Sequence, residues 1–186
     1  MKALAAFPST RETRVIDHPE PTIERPTDVK LRILGAGICG TDREIASFEY
    51  GAPPAGSPYL IIGHEALGEV VDAGSGVTGL APGDLAVPTV RRPCGHERCG
   101  PCRHGRQDFC ITGDFTERGI KGPHGYMTEF VVEDEQYVVK VPRELRDVAV
   151  LIEPLTVAEK AAEQVRVLTQ RQERHHHRVR RRREES

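Results

Sequence analysis

The 186-residue sequence is poor in long apolar runs, in net charge and in secretory or dinucleotide-binding signals, and each shortage closes off a class of function. No stretch approaches the ~18 apolar residues that span a bilayer, so no membrane partner is expected. Lys and Arg total 26 against 28 Asp and Glu, a formal charge of -2, so no global field recruits nucleic acid or an anionic surface. Met1 to Pro8 lacks the charged and apolar regions of a secretory leader, which makes the cytoplasm the expected location. No internal repeat is visible. Late in the chain, no G-x-G-x-x-G turn follows the last helical pattern.

What the sequence does have is many short strand signals. Lys2 to Phe7, Val29 to Leu34, Glu65 to Val71, Asp84 to Val87, Thr128 to Val132 and Tyr137 to Val141 are apolar or alternate with period two, each bounded by Gly, Pro or Asp turn residues. With 18 glycines and 38% hydrophobic residues, this predicts one mainly β, barrel-like domain with short helices, an α+β class. Helical spacing is clear only at Leu155, Ala158, Ala161, Ala162 and Val165, after Pro154 in a first-turn position. The domain is expected to end near residue 162. Residues 163–186 contain eight Arg, four Glu and the run His175-His176-His177, a composition expected to form a helix remnant and then a disordered tail. Arg178 and Arg180 to Arg183 could meet phosphates, but no aromatic residue is interleaved to stack on bases, so nucleic acid is not the expected partner.

Cysteine supplies the chemistry. Cys94, Cys99, Cys102 and Cys110 are spaced C-x4-C-x2-C-x7-C, with Gly95, Gly100 and Gly105 between them. Four soft donors on one compact loop suit a closed tetrahedral zinc; in a reducing compartment such spacing favours a metal over disulfides. His96 and His104 are alternative donors within the same loop. Away from the lobe, Cys39 lies in Gly37-Ile38-Cys39-Gly40-Thr41-Asp42 and His64 in Gly63-His64-Glu65-Ala66-Leu67-Gly68. Each alone is weak, since a single Cys is usually a small buried residue. Together they supply two of the three protein ligands of an open zinc site. No cysteine follows Cys110, so the third is a carboxylate or another histidine, with Glu65 and Glu153 the candidates.

These segments resemble the zinc-containing medium-chain alcohol dehydrogenase superfamily. The run Arg91-Arg92-Pro93, the stretch Thr112 to Gly122 and Leu151-Ile152-Glu153-Pro154-Leu155 are similar to its glucose 1-dehydrogenase branch, which has a carboxylate where alcohol dehydrogenases have cysteine. The likeness runs from about residue 1 to about residue 168, roughly half a family member. It implies a GroES-like fold without its Rossmann domain, a catalytic zinc on Cys39 and His64 with Glu65 and Glu153 as direct or exchanging ligands, and a structural zinc on Cys94, Cys99, Cys102 and Cys110. It also implies a place for Thr41 beside the reacting hydroxyl, for Glu117 and Glu153 beside the substrate, and for NAD or NADP as hydride acceptor. The implied substrate is a sugar or polyol, glucose C1 going to the lactone. The alternative is a non-enzymatic GroES-like zinc module or a degenerate remnant. Two departures stand out: the family's first two lobe cysteines are separated by two residues rather than four, and the nucleotide domain is missing. A face bared by that missing domain would favour self-association.

Overall fold

The computed structural model describes the backbone of residues 1–184 and the side chains of residues 1–170. Residues 1–151 are organised around three antiparallel sheets. Strand β1 (Lys2–Phe7) pairs with β2 (Glu12–Asp17) on one side and with the short β4 (Leu60–Ile61) on the other. The central sheet has the order β10-β6-β5-β3-β9, built from β3 (Asp28–Ala36), β5 (Ala66–Ala73), β6 (Leu85–Pro88), β9 (Phe130–Asp134) and β10 (Val138–Val141). A ribbon of β7 (Arg91–Arg92) and β8 (Thr116–Glu117) stands apart, with Arg91 opposite Glu117. Six of these strands were predictable because their apolar residues face a core. β2 was not, because its residues are almost all exposed and carry no burial pattern.

The core follows the period-two alternation. Val29 and Leu31 of β3, Ala66 and Val70 of β5, Ala86 of β6 and Val131 of β9 form one apolar cluster around the fully buried Tyr126. Tyr126 brings a hydroxyl into that core, and it is satisfied there: it donates to the Thr89 carbonyl at 2.8 Å and lies 3.3 Å from Glu133 Oε1. Arg92 reaches the other oxygen, Oε2, at 2.9 Å, and Arg118 Nε meets Oε1 at 2.5 Å. A second cluster, Ala6, Ile45, Leu60, Ile62 and Ile120, packs helix α1 (Gly40–Ala46) against β1 and β4. At seven residues and four of them polar, α1 has too little apolar spacing to be read from sequence.

Contacts divide the chain after Leu151; a second unit begins at Ile152 and consists of helix α3 (Ile152–Glu184). The boundary expected near residue 162 falls inside this helix. Its backbone stays helical through the Arg- and Glu-rich stretch for which composition suggested loss of order; Arg, Glu and Gln are good helix formers even without an apolar stripe. The side chains of Arg178, Arg180 to Arg183 and His175 to His177 lie outside the described residues. Among the described residues no helix is long and apolar enough to cross a membrane.

The Tyr126 network gives a direct test. Tyr126→Phe removes one donor from the Thr89 carbonyl and from Glu133, each of which keeps an arginine partner, and the expected loss is about 0.5–1.5 kcal/mol, read as a lower urea midpoint with an unchanged slope.

Candidate functional site

Cys39 follows β3, His64 lies between β4 and β5, and the two meet through one carboxylate. Cys39 is the residue before α1, and its N–H donates to Asp42 Oδ2 at 2.9 Å, so the aspartate at the third helical position caps the turn that presents the thiol. The other oxygen, Oδ1, accepts the Gly63 N–H at 3.1 Å and lies 3.4 Å from His64 Nδ1. Asp42 is 2% exposed and His64 5%. With Nδ1 turned to the carboxylate, Nε2 is the nitrogen left for a metal.

The turn that carries His64 and Glu65 is clamped from behind. Gly125 N–H donates to the Ile61 carbonyl at 2.7 Å, Tyr126 N–H to Gly63 at 2.8 Å and Met127 N–H to Ile62 at 3.0 Å. Gly63 has φ of 92°, a conformation for which glycine is the default residue, and a Cβ placed on Gly119 or Gly125 would run into the Gly63 carbonyl. On the opposite side, Gly37 N–H donates to the Glu65 carbonyl at 2.9 Å, and a Cβ on Gly37 would collide with the Glu65 carboxylate. Gly35 to Gly40 happens to spell the letters of a dinucleotide turn, G-x-G-x-x-G. It does not have the architecture of one: β3 lies between antiparallel neighbours, and the space over Gly37 is filled by Glu65.

The result is a three-donor cluster. One ligand atom each from Cys39, His64 and Glu65 lies within 4.8 Å of the others. Thiolate, imidazole and carboxylate are the borderline-soft and hard donors that zinc accepts together, so the residues fit that ion. Thr41 Oγ1 is 4.0 Å from Cys39 Sγ, one helical step into α1. Glu153 lies in the first turn of α3, in the second unit. Glu117 is buried on β8, and its Oε1 accepts from Arg91 Nη2 at 2.8 Å and Nε at 3.0 Å. The role of Asp42 is marked in the sequence only by the capping pattern, an acidic residue three positions after the residue that precedes the helix.

The lobe residues converge as a second cluster. Sγ atoms of Cys94, Cys99, Cys102 and Cys110 all lie within 4.8 Å of one another, and Cys99 to Cys110 is 3.8 Å. A zinc tetrahedron with legs of about 2.3 Å has edges of about 3.8 Å, the separation of Cys99 and Cys110, so the four thiols suit the ion. Their environments differ. The Thr112 hydroxyl, helped by the backbone N–H groups of Thr112 and Gly113, holds the Cys110 thiol down at about 6, while burial pushes Cys102 up to about 12. Backbone donors at Cys102 and Ile111 lower Cys99. Donors aimed at sulfur favour the thiolates a metal requires. The two extra residues between Cys94 and Cys99 are absorbed in an exposed turn closed by the Cys99 N–H to His96 carbonyl bond at 3.0 Å. His96 pairs instead with Asp114 at 2.6 Å, and His104 with the Gly100 carbonyl at 2.7 Å; neither belongs to the thiol cluster.

A mainly β domain with one open and one closed metal-ligand cluster matches a known class. The alcohol dehydrogenase GroES-like domain matches residues 25–143, and the chain belongs to that family. Among curated proteins it is 50% identical over 167 residues to glucose 1-dehydrogenase of Methanocella arvoryzae and 48% identical over 164 residues to that of Thermoproteus tenax, in each case covering 88% of this chain and 45% of the relative. Among solved structures it resembles Haloferax mediterranei glucose dehydrogenase in complex with NADP, zinc and gluconolactone, with a TM-score of 0.80 and 40% identity over 88% of this chain and 45% of that one. Galactitol-1-phosphate dehydrogenase from Escherichia coli shares the fold at a TM-score of 0.70 and 28% identity. The chain therefore spans about half the length of the relatives it matches.

Removing the charge of Asp42 while keeping its shape tests the frame. Asp42→Asn is expected to weaken zinc at the Cys39 cluster about 10- to 100-fold and leave the lobe untouched. Elemental analysis after mild chelation should then find one zinc where the parent keeps about two, the same count as in Cys39→Ser, while Cys102→Ser loses the lobe zinc instead.

Proposed function

We propose that this chain is the zinc-binding, sugar-facing half of an oxidoreductase of the glucose 1-dehydrogenase type. The observation that carries the reading is the three-donor cluster of Cys39, His64 and Glu65, distinct from the closed set of thiols and held by a buried aspartate. Cys39 and His64 are the fixed ligands, and Glu65 is the carboxylate already beside them; Glu153 is the second carboxylate that the family likeness brings to the same centre. A zinc bound there supplies Lewis acidity that lowers the pKa of a hydroxyl. Cys94, Cys99, Cys102 and Cys110 hold a second zinc that shapes the lobe.

The remaining steps belong to side chains of this chain. Thr41, whose Oγ1 lies 4.0 Å from Cys39 Sγ, takes the proton from the C1 hydroxyl and passes it towards solvent. Glu117, a buried carboxylate with an ion partner, accepts hydrogen bonds from a polyhydroxyl substrate and disfavours a simple alcohol that cannot make them. Loss of that proton and of the C1 hydride yields the lactone. The hydride acceptor is NAD or NADP, and its complement in the reaction is the part of the relatives that this chain does not match, about half of their length. Exposed Leu155, Val157, Val165 and Leu168 on α3 are the residues through which we expect association with that complement or with another copy. Five free cysteines favour a reducing compartment, the cytoplasm.

Mixing the zinc-loaded chain with the separately produced nucleotide-binding half of a glucose 1-dehydrogenase, glucose and NADP tests the reading by absorbance of the reduced nicotinamide. Glucose-dependent reduction is expected only in the mixture, falling at least about 100-fold in His64→Ala. Two retained zincs with no reduction in the mixture, by sugars or polyols, would instead identify a zinc-binding module without redox chemistry.

A further inference from the structure

Arg91 and Arg92 are neighbours on β7 and so point to opposite faces of the ribbon. Each grips a glutamate, but in different ways. Glu133, 6% exposed, has both oxygens engaged, Oε2 by Arg92 and Oε1 by Arg118 and Tyr126. That is a closed network, with nothing left over for a ligand. Glu117 is held by one oxygen alone. Arg91 brings Nε and Nη2 to the same Oε1, at 3.0 and 2.8 Å, and among the described residues nothing donates to Oε2.

The guanidinium is itself fixed from two further sides. It lies over the Phe115 ring at 4.1 Å, and Nη1 is 3.5 Å from the Asp108 carbonyl, in the turn before Cys110. Strand register places Arg91 directly opposite Glu117. A planar fork stacked on a ring keeps its orientation in a way the flexible point charge of a lysine does not.

We infer that Arg91 is the positioning residue of Glu117: it immobilises one carboxylate oxygen so that the other is presented, as an ionised acceptor, to a hydroxyl of the substrate. This rests on the reading of Glu117 as a sugar contact. It assigns the sugar preference to a pair of residues facing each other across a two-residue ribbon, rather than to the glutamate alone.

The test is a glucose titration of the zinc-loaded full chain, followed through the amide NMR signals of Gly119 and Ile120, for the parent, Arg91→Lys, Glu117→Gln and the double variant. Arg91→Lys keeps the charge and loses the fork; the expected result is an affinity about tenfold weaker with both zincs retained. The double variant should bind no more weakly than Glu117→Gln, because Arg91 acts only through Glu117. Phe115→Leu, which removes the ring and leaves both charged groups, should weaken glucose about two- to threefold, and covers the case in which Arg91→Lys fails to fold. Parental affinity in Arg91→Lys, or losses that simply add in the double variant, would overturn the role of Arg91 while leaving the sugar site standing. A parent chain with two zincs and no glucose-dependent shift removes the sugar site, and this inference with it.

Discussion

Asp42 is the constraint on which the rest of the site depends. Its carboxylate is almost fully buried, and such a charge is costly unless its hydrogen bonds are met. Here they are met by backbone groups from both halves of the site, the Cys39 N–H on one oxygen and the Gly63 N–H on the other, which also lies 3.4 Å from His64 Nδ1. Satisfying the aspartate therefore fixes the distance between the thiol-bearing turn and the imidazole-bearing turn. The same contact turns His64 Nδ1 towards the carboxylate.

A frame of this kind works only if the second turn cannot retreat, which is the task of residues 119–127. Three backbone bonds tie residues 125–127 to residues 61–63, and Gly119 and Gly125 bring main chain against the Gly63 carbonyl more closely than any side chain would permit. Behind that strip stands the Tyr126, Glu133, Arg92 and Arg118 network. Replacing such a buried ionic group by well-fitted apolar residues is often neutral or even stabilising, so its value here lies in geometry. It fixes the β7–β8 ribbon, and with the ribbon Arg91 and Glu117, relative to the turn that carries His64.

How much of this was legible in the sequence depends on range. The core strands could be read because burial imposes period two on Val29, Leu31 and Val131. The lobe could be read because its four ligands lie within 17 positions, Cys94 to Cys110, and the spacing alone carries the chemistry. Cys39 and His64 were nameable only as a pair, with the family likeness behind them; their nearness is a tertiary fact. Asp42 was visible yet unassigned, since an acidic residue near a helix start has several ordinary reasons to be there. β2 and α1 left no pattern because one is exposed and the other short. Pairings such as Arg91 with Glu117 span 26 positions, and nothing in the local sequence marks them.

The charges at the two clusters also separate their physical roles. Asp42, Glu65 and the ionised form of Cys39 put three negative groups around His64. Their repulsion in a partly dehydrated site opposes the arrangement that the hydrogen bonds enforce. A divalent cation reverses that balance, so part of the metal's binding energy goes into holding the turns in place. In the lobe the problem is solved differently, because backbone N–H groups and the Thr112 hydroxyl already point at Cys99 and Cys110. The lobe is thus arranged to close around its ion, whereas at Cys39, His64 and Glu65 this unit contributes three donors. A tetrahedral ion held by three protein ligands keeps a fourth position for an oxygen from outside, and it is this difference, more than the presence of metal-binding side chains as such, that separates the Cys39 cluster from the lobe.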